Sequence, residues 1–64
     1  MTLEHQILRA VETSPLMSMP DVVHKLQAVD PTVFESDIRR MVWRLVDRGQ
    51  LVLRDDRKLV VRGL

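Results

Sequence analysis

The chain has 64 residues, of which ten are basic and nine acidic, and it has no cysteine. A chain of this length forms one domain, here residues 1–64, and buries only about 60% of its unfolded surface, so nearly every apolar residue is needed for the core. These properties exclude disulfide crosslinks and thiolate metal sites, and they leave little room for an elaborate catalytic pocket.

The first residues predict an amphipathic helix that ends near Thr13. Thr2 is a suitable N-cap, because its hydroxyl can accept a hydrogen bond from an amide of the first turn. Ser14 and Pro15 then end the helix. Apolar residues recur at helical spacing and form one stripe, namely Leu3, Ile7, Ala10 and Val11.

A short extended segment and a second helix are expected next. Leu16 and Met17 form an apolar extended piece, and the order Ser18-Met19-Pro20-Asp21 resembles a capping box with proline in the first turn. A carboxylate there also lies near the positive end of the helix dipole. The predicted helix has about nine residues and buries Met19, Val22, Val23 and Leu26.

A third and longer helical pattern runs from about Val33 to Arg48. The spacing Thr32-x-x-Glu35 predicts its start, although the first residue is left open, and Gly49 suits a left-handed C-cap. The apolar side spans about 120° of a helical wheel. It contains Phe34, Ile38, Met41, Val42, Leu45 and Val46, and the opposite side contains Ser36, Arg39, Arg40, Trp43, Arg44 and Asp47.

The segment after Gly49 predicts a β-hairpin. If Leu53 pairs with Leu59, and Leu51 with Val61, four large apolar side chains share one face. This register requires a loop of odd length centred on Asp56. Because the loop contains no glycine for a left-handed position, a longer and mobile loop is the alternative.

This order of helix, short strand, helix, turn, helix and hairpin resembles the winged helix-turn-helix superfamily. The resemblance rests on Leu16–Ser18 as a short first strand, Pro20–Gln27 as the positioning helix, and Ile38–Leu51 as the recognition helix leading into the wing. The pattern from Val42 to Leu51, apolar-x-x-Leu-apolar-Asp-x-Gly-x-apolar, is similar to the end of the recognition helix in many bacterial regulators. It implies an α+β, mainly α fold with a small antiparallel sheet and a C-terminal wing.

The resemblance also implies double-stranded DNA binding, with the third helix in the major groove and the wing on phosphates. The distribution of charge agrees in part with DNA binding. Residues 1–38 have two basic and six acidic groups, whereas residues 39–64 have eight basic and three acidic groups. The candidate DNA-binding residues are Ser36, Arg39, Arg40, Trp43 and Arg44 on the helix and Arg54, Arg57 and Lys58 on the wing. Arginine can bond a guanine edge or a phosphate.

Acidic neighbours offer an alternative for each arginine, which is an ion pair within the protein. These neighbours are Asp37, Asp47, Asp55 and Asp56. Trp43 could stack on a base or sugar, anchor a protein partner, or fold back over the hairpin or the second helix. Folding back is favoured, because burying the large apolar surface of a tryptophan would stabilise so small a core. The rival function is therefore a protein–protein interaction module that docks through Trp43 and the hairpin.

No catalytic or metal site is expected. His5 and His24 fall on the polar faces of separate helices, and the serines are explained as caps and turn residues. The glycines, Gly49 and Gly63, form no phosphate-binding loop. With no secretory or membrane-spanning pattern, we expect a cytoplasmic regulator or accessory factor without cofactor or membrane partner. Leu8, Val52 and Val60 fall outside the core faces and leave a monomer or weak homodimer open.

Overall fold

The computed structural model describes residues 2–14 and 16–62, which form three helices and a three-stranded antiparallel sheet with strand order β1-β3-β2. The predicted α+β, mainly α class is confirmed. The elements in chain order are α1 (Leu3–Thr13), β1 (Met17–Ser18), α2 (Met19–Val29), α3 (Glu35–Asp47), β2 (Leu51–Leu53) and β3 (Lys58–Val61).

Helix α1 begins and packs as its sequence predicts. The Thr2 hydroxyl accepts a hydrogen bond from the His5 amide at 3.2 Å, which satisfies one of the free amides of the first turn. Ile7, Ala10 and Val11 are buried, so the stripe predicted from their spacing is confirmed. The predicted helix stop at Pro15 lies outside the described residues.

The predicted first strand is one residue too long. Leu16 has a φ of 67°, in the left-handed region, and the strand is Met17–Ser18. Leu16 is 48% exposed and therefore lies outside the core.

The capping box at the start of α2 is confirmed. The Asp21 amide donates to the Ser18 hydroxyl at 3.4 Å, and the Ser18 amide donates to the Asp21 carboxylate at 3.2 Å. The hydrogen bond from the Ser18 backbone is the main reason that the pKa of Asp21 lies below its ordinary value. The helix has eleven residues rather than about nine, and its buried side chains are Val22, Val23 and Leu26, with Met19 half-buried.

Helix α3 begins later than its capping signature predicts. Thr32 donates both its amide and its hydroxyl to Asp30 Oδ1, at 3.1 and 2.6 Å, so it stabilises the turn and does not cap the helix. Phe34 holds the N-cap position without a side-chain hydrogen bond. Because Phe34 precedes the helix, its side chain is out of phase with the apolar face and is 71% exposed. The expectation that Phe34 is a core residue is wrong.

The remaining apolar face of α3 forms the centre of the core. Ile38, Val42 and Leu45 are fully buried, and Met41 and Val46 pack against the core from its edge. Helix α3 packs against α1, α2 and β2, so this face lies between the other helices and the sheet. Gly49 ends the α3 region with a φ of 78°, confirming the predicted left-handed position.

The hairpin has the predicted register. Leu53 pairs with Leu59 and Leu51 with Val61. The Arg54 amide donates to the Lys58 carbonyl at 2.8 Å, leaving a three-residue loop centred on Asp56, as predicted. Arg57 takes the left-handed position, with a φ of 65°, although such loops favour glycine there.

Burial along the hairpin is uneven. Leu51 and Leu59 are each 1% exposed, whereas Leu53 is 37% exposed and Val61 is half-buried. The four predicted core residues therefore divide into two that are buried and two that are partly open. Leu53 lies at the end of β2 next to the loop, where the helices cover the sheet less completely.

Candidate nucleic-acid interface

The exposed side of α3 is the one that the helical wheel predicts. Burial of Ile38, Val42 and Leu45 fixes the rotation of the helix about its axis. All six residues of the predicted polar face are exposed: Ser36, Arg39, Arg40, Trp43, Arg44 and Asp47. The helix therefore presents three arginines and one tryptophan to solvent.

One part of this face borders a cleft formed with α2 and the hairpin. Arg39 and Trp43, one helical turn apart, line it from α3, and Leu53 and Arg57 line it from the hairpin. We call this feature the Trp43 cleft; its volume is about 500 Å³. Its lining residues are Ser18, Met19, Pro20, Arg39, Val42, Trp43, Leu53, Arg57 and Leu59.

The other two arginines lie outside the Trp43 cleft. Arg40 and Arg44, again one turn apart, line a separate depression near Leu3 at the start of α1, together with Asp37. The predicted DNA-binding residues of α3 thus form two arginine groups, one beside the hairpin and one beside α1. The helical wheel places them on a common face but does not reveal this division.

Two of the candidate arginines form ion pairs within the protein. Arg39 Nε lies 2.9 Å from Glu35 Oε2, and Arg54 Nη2 lies 3.5 Å from Asp56 Oδ2. All four side chains are about half exposed, where such pairs typically contribute about 0–1 kcal/mol. The arginines therefore remain able to exchange these partners for a phosphate.

The other candidate cations have no ion pair within residues 2–14 and 16–62. They are Arg40, Arg44, Arg57 and Lys58. The alternative in which every arginine is neutralised within the protein thus applies to Arg39 and Arg54 alone among the predicted residues. Arg48, which was not a candidate, pairs with Glu4 at 3.4 Å.

The wing residues differ in their position. Arg54 and Arg57 are exposed, and Lys58 is half-buried because it starts β3 and pairs with Ser18 of β1. The Lys58 amide also donates to Asp56 Oδ1 at 3.1 Å. Of the three, Arg57 is the one that lines the Trp43 cleft.

Trp43 shares a cleft with residues of the hairpin and the start of α2 but is 48% exposed. The favoured interpretation, in which it folds back and is buried, is therefore wrong. The Trp43 cleft also contains Met19, Pro20 and Leu53, none of which was a candidate site residue. Helical spacing predicts a core position for Met19, and the hairpin register predicts one for Leu53. Neither signal distinguishes a core position from the wall of a surface cleft.

Other kinds of site in the part of the chain that the structure describes would depend on histidine positions, metal-ligand groups or membrane-spanning helices. His5 and His24 are exposed on α1 and α2. Within the described residues, no three His, Asp or Glu side chains come together in a group that could hold a metal ion. None of the described helices combines the length and apolar character needed to cross a membrane.

Comparisons with known proteins yield no relative: no family model, no curated protein and no solved structure matches the chain. Function therefore has to be inferred from the chain's own surface.

Proposed function

We propose that the protein is a winged helix-turn-helix domain that binds double-stranded DNA, as a small transcriptional regulator or accessory factor. The observation that supports this most is the continuity of the α3 surface with the hairpin. Arg39 and Trp43 of α3 and Arg57 of the hairpin line one cleft, so a recognition helix and a wing could contact the same duplex. The order of helices and strands, with three strands in one antiparallel sheet, agrees with this fold.

In this proposal α3 lies in the major groove. Its 13 residues span about 20 Å at 1.5 Å per residue, and the major groove, about 12 Å wide, admits an α-helix. Arg40 and Arg44 are exposed and without an internal ion pair among the described residues. They are the strongest candidates for contacts to base edges or phosphates. Ser36, near the start of the helix, is a candidate for a hydrogen bond to an oxygen of the DNA backbone.

The hairpin contributes contacts to phosphates in the same proposal. Arg57 is placed beside the exposed face of α3, and Arg54 can reach a phosphate by giving up its exposed pair with Asp56. Lys58 is nearer the body of the domain. Phosphate contacts position a protein on DNA and make its affinity depend on salt, because counterions are released.

Acidic side chains limit the affinity. Asp37 lies with Arg40 and Arg44, and Glu35 is bonded to Arg39. We therefore expect micromolar or weaker dissociation constants for random duplex at moderate salt, with binding that strengthens steeply as salt falls.

A chemical-shift titration with mixed-sequence duplex at low salt tests the proposal. Amide shifts should change at residues 36–44 and 54–58, while the outer face of α1, marked by Arg9 and Glu12, should serve as the internal reference. If neither segment responds at low salt and high protein concentration, DNA binding is rejected.

A second function, docking of a protein partner through Trp43 and the hairpin, is favoured by a different observation. Trp43 and Leu53, which are 48% and 37% exposed, both line the Trp43 cleft, and exposed aromatic anchors are frequent at protein interfaces. Tryptophan emission that iodide quenches readily, combined with no duplex-induced shifts, would favour this function. Duplex-induced shifts on α3 would argue against it.

A further inference from the structure

The Trp43 cleft has an apolar character that contacts to a regular duplex do not require. Base edges and phosphates are recognised by polar and charged groups. The cleft instead contains a tryptophan that is 48% exposed and apolar walls formed by Met19, Pro20 and Leu53. Leaving this much aromatic surface open is unfavourable in the free protein, so an occupant with a flat apolar surface fits it well.

Cationic groups come to the same cleft from two elements. Arg39 lies one helical turn before Trp43 on α3, and Arg57 projects from the hairpin loop. Arg57 has no ion pair among the described residues, and the pair of Arg39 with Glu35 is exposed. An aromatic surface with adjacent cations is the combination by which proteins bind single-stranded nucleic acids, through base stacking and phosphate contacts.

We infer that the Trp43 cleft binds an unpaired nucleobase, stacked on Trp43, with the neighbouring phosphates held by Arg39 and Arg57. The inference rests on the proposed DNA-binding function and narrows its partner to duplexes that carry an unpaired base or a single-stranded extension.

The position of the cleft favours a nucleotide over an acidic peptide. On the exposed face of α3, Arg40 and Arg44 follow directly after the cleft residues Arg39 and Trp43. A continuous polyanion can therefore contact both arginine groups while one of its bases fills the cleft. A peptide would need an aromatic side chain in the cleft and carboxylates at both arginine groups, whereas a nucleic-acid strand has a phosphate and a flat base at every nucleotide.

Three labelled ligands of matched sequence test the inference by fluorescence anisotropy. They are a short blunt duplex, the same duplex with a short thymidine extension, and the same duplex with an abasic extension of equal length and charge. The thymidine extension should bind about 10-fold more tightly than the abasic one, since stacking on an aromatic side chain is worth on the order of 5- to 150-fold per base. It should also quench the emission of Trp43, the only tryptophan of the chain.

Substitutions at Trp43 show whether stacking causes the difference. With Trp43→Leu, the thymidine and abasic extensions should bind with nearly equal affinity. With Trp43→Phe, most of the preference for the thymidine extension should remain. Val52→Ala is the matched control, because Val52 is a similarly exposed apolar residue of the hairpin that does not line the cleft. It should leave both the ratio and the affinity for blunt duplex unchanged.

The outcomes separate this inference from the function on which it rests. Equal affinity for the thymidine and abasic extensions, with blunt duplex still bound, overturns the base site and leaves duplex binding in place. Failure to bind any of the three ligands overturns both. A Trp43 emission change with an acidic amphipathic peptide but not with the thymidine extension shows that the cleft takes a protein segment and also overturns the inference.

Discussion

The two faces of α3 differ in burial and in the property that substitutions on them should change. On the inner face, Ile38, Val42 and Leu45 are each 0% exposed, so their shapes must match the rest of the core. The outer face mixes arginines with acidic residues, and its ion pair is exposed. Substitutions on the inner face should therefore change stability, and those on the outer face should change binding with little effect on stability.

The largest effect should come from the inner face. Leu45→Ala should lower the free energy of unfolding by about 2–5 kcal/mol, because it removes buried methyl groups and leaves a cavity. A domain of this size has a total stability of only about 3–10 kcal/mol, so the variant should be partly or largely unfolded. Denaturant unfolding measures the change.

Arg44→Ala, at the adjacent residue on the outer face, is the control for Leu45→Ala and should have a midpoint near that of the unsubstituted protein. If the two variants had similar midpoints, the assignment of inner and outer faces would be wrong.

The next effect should appear in binding alone. Replacing Arg39, Arg40 and Arg44 together by alanine should abolish detectable duplex binding while the circular dichroism spectrum and unfolding transition stay nearly unchanged, since alanine is a good helix former. Titration with duplex DNA at low salt measures the loss.

Three basic residues outside the proposed interface, Arg9, Lys25 and Arg62, provide a control of equal charge. Their combined replacement by alanine should weaken binding far less, because it removes the same total charge from positions outside the α3 face. Equal losses in the two triple variants would mean that net charge, rather than the α3 face, determines affinity.

Arg57→Gly should separate stability from binding in the hairpin. A non-glycine residue at a φ of 65° carries a cost of about 1–2 kcal/mol, while glycine adds unfolded-state entropy worth about 0.4–1 kcal/mol. The variant should therefore be more stable by up to about 1.6 kcal/mol but should bind duplex less tightly. Loss of one phosphate contact should lower the salt slope of log K by about 0.9.

Arg57→Ala removes the same cation while keeping the strained backbone. It should reproduce the weaker binding of Arg57→Gly without its gain in thermal stability. A glycine variant less stable than the alanine variant would contradict the left-handed conformation at this position.

The smallest predicted effect concerns Glu35. Glu35→Gln removes the carboxylate that holds Arg39 at 2.9 Å, and should tighten duplex binding by up to about 5-fold, the equivalent of a surface ion pair of at most about 1 kcal/mol. Asp55→Asn is the control, because it removes one negative charge from the hairpin loop, where no ion pair of Asp55 is found among the described residues. Equal gains in both variants would indicate long-range charge rather than release of Arg39.

Local signals in the sequence predict most of the fold. The Ser18–Asp21 capping box and the register of Leu53 with Leu59 are both confirmed, because each depends on residues close together in the chain or on one apolar face. The signature Thr32-x-x-Glu35 was misleading, since Asp30 takes the Thr32 hydroxyl. The helix begins after Phe34, so a helical wheel that includes this residue wrongly predicts that it is buried.

The candidate site is predicted less completely, for a reason of geometry. A helical wheel orders residues around one axis, and it places Arg39, Arg40, Trp43 and Arg44 correctly on the outer face. Their division into a cleft group and an α1 group depends on where the hairpin and the other helices pack. That placement is tertiary, so the joint contribution of Leu53 and Arg57 to the cleft follows from the folded chain alone.

The strand order β1-β3-β2 has a consequence for folding during synthesis. Strand β3 is central, and Met17 of β1 pairs with Leu59, while β2 pairs with the same strand. A nascent chain released only as far as Arg57 would have its three helical segments but no partner for either outer strand. Since contacts between residues distant in sequence slow folding, we expect the helices to collapse early and the sheet, with the mature Trp43 cleft, to form only once β3 has left the ribosome.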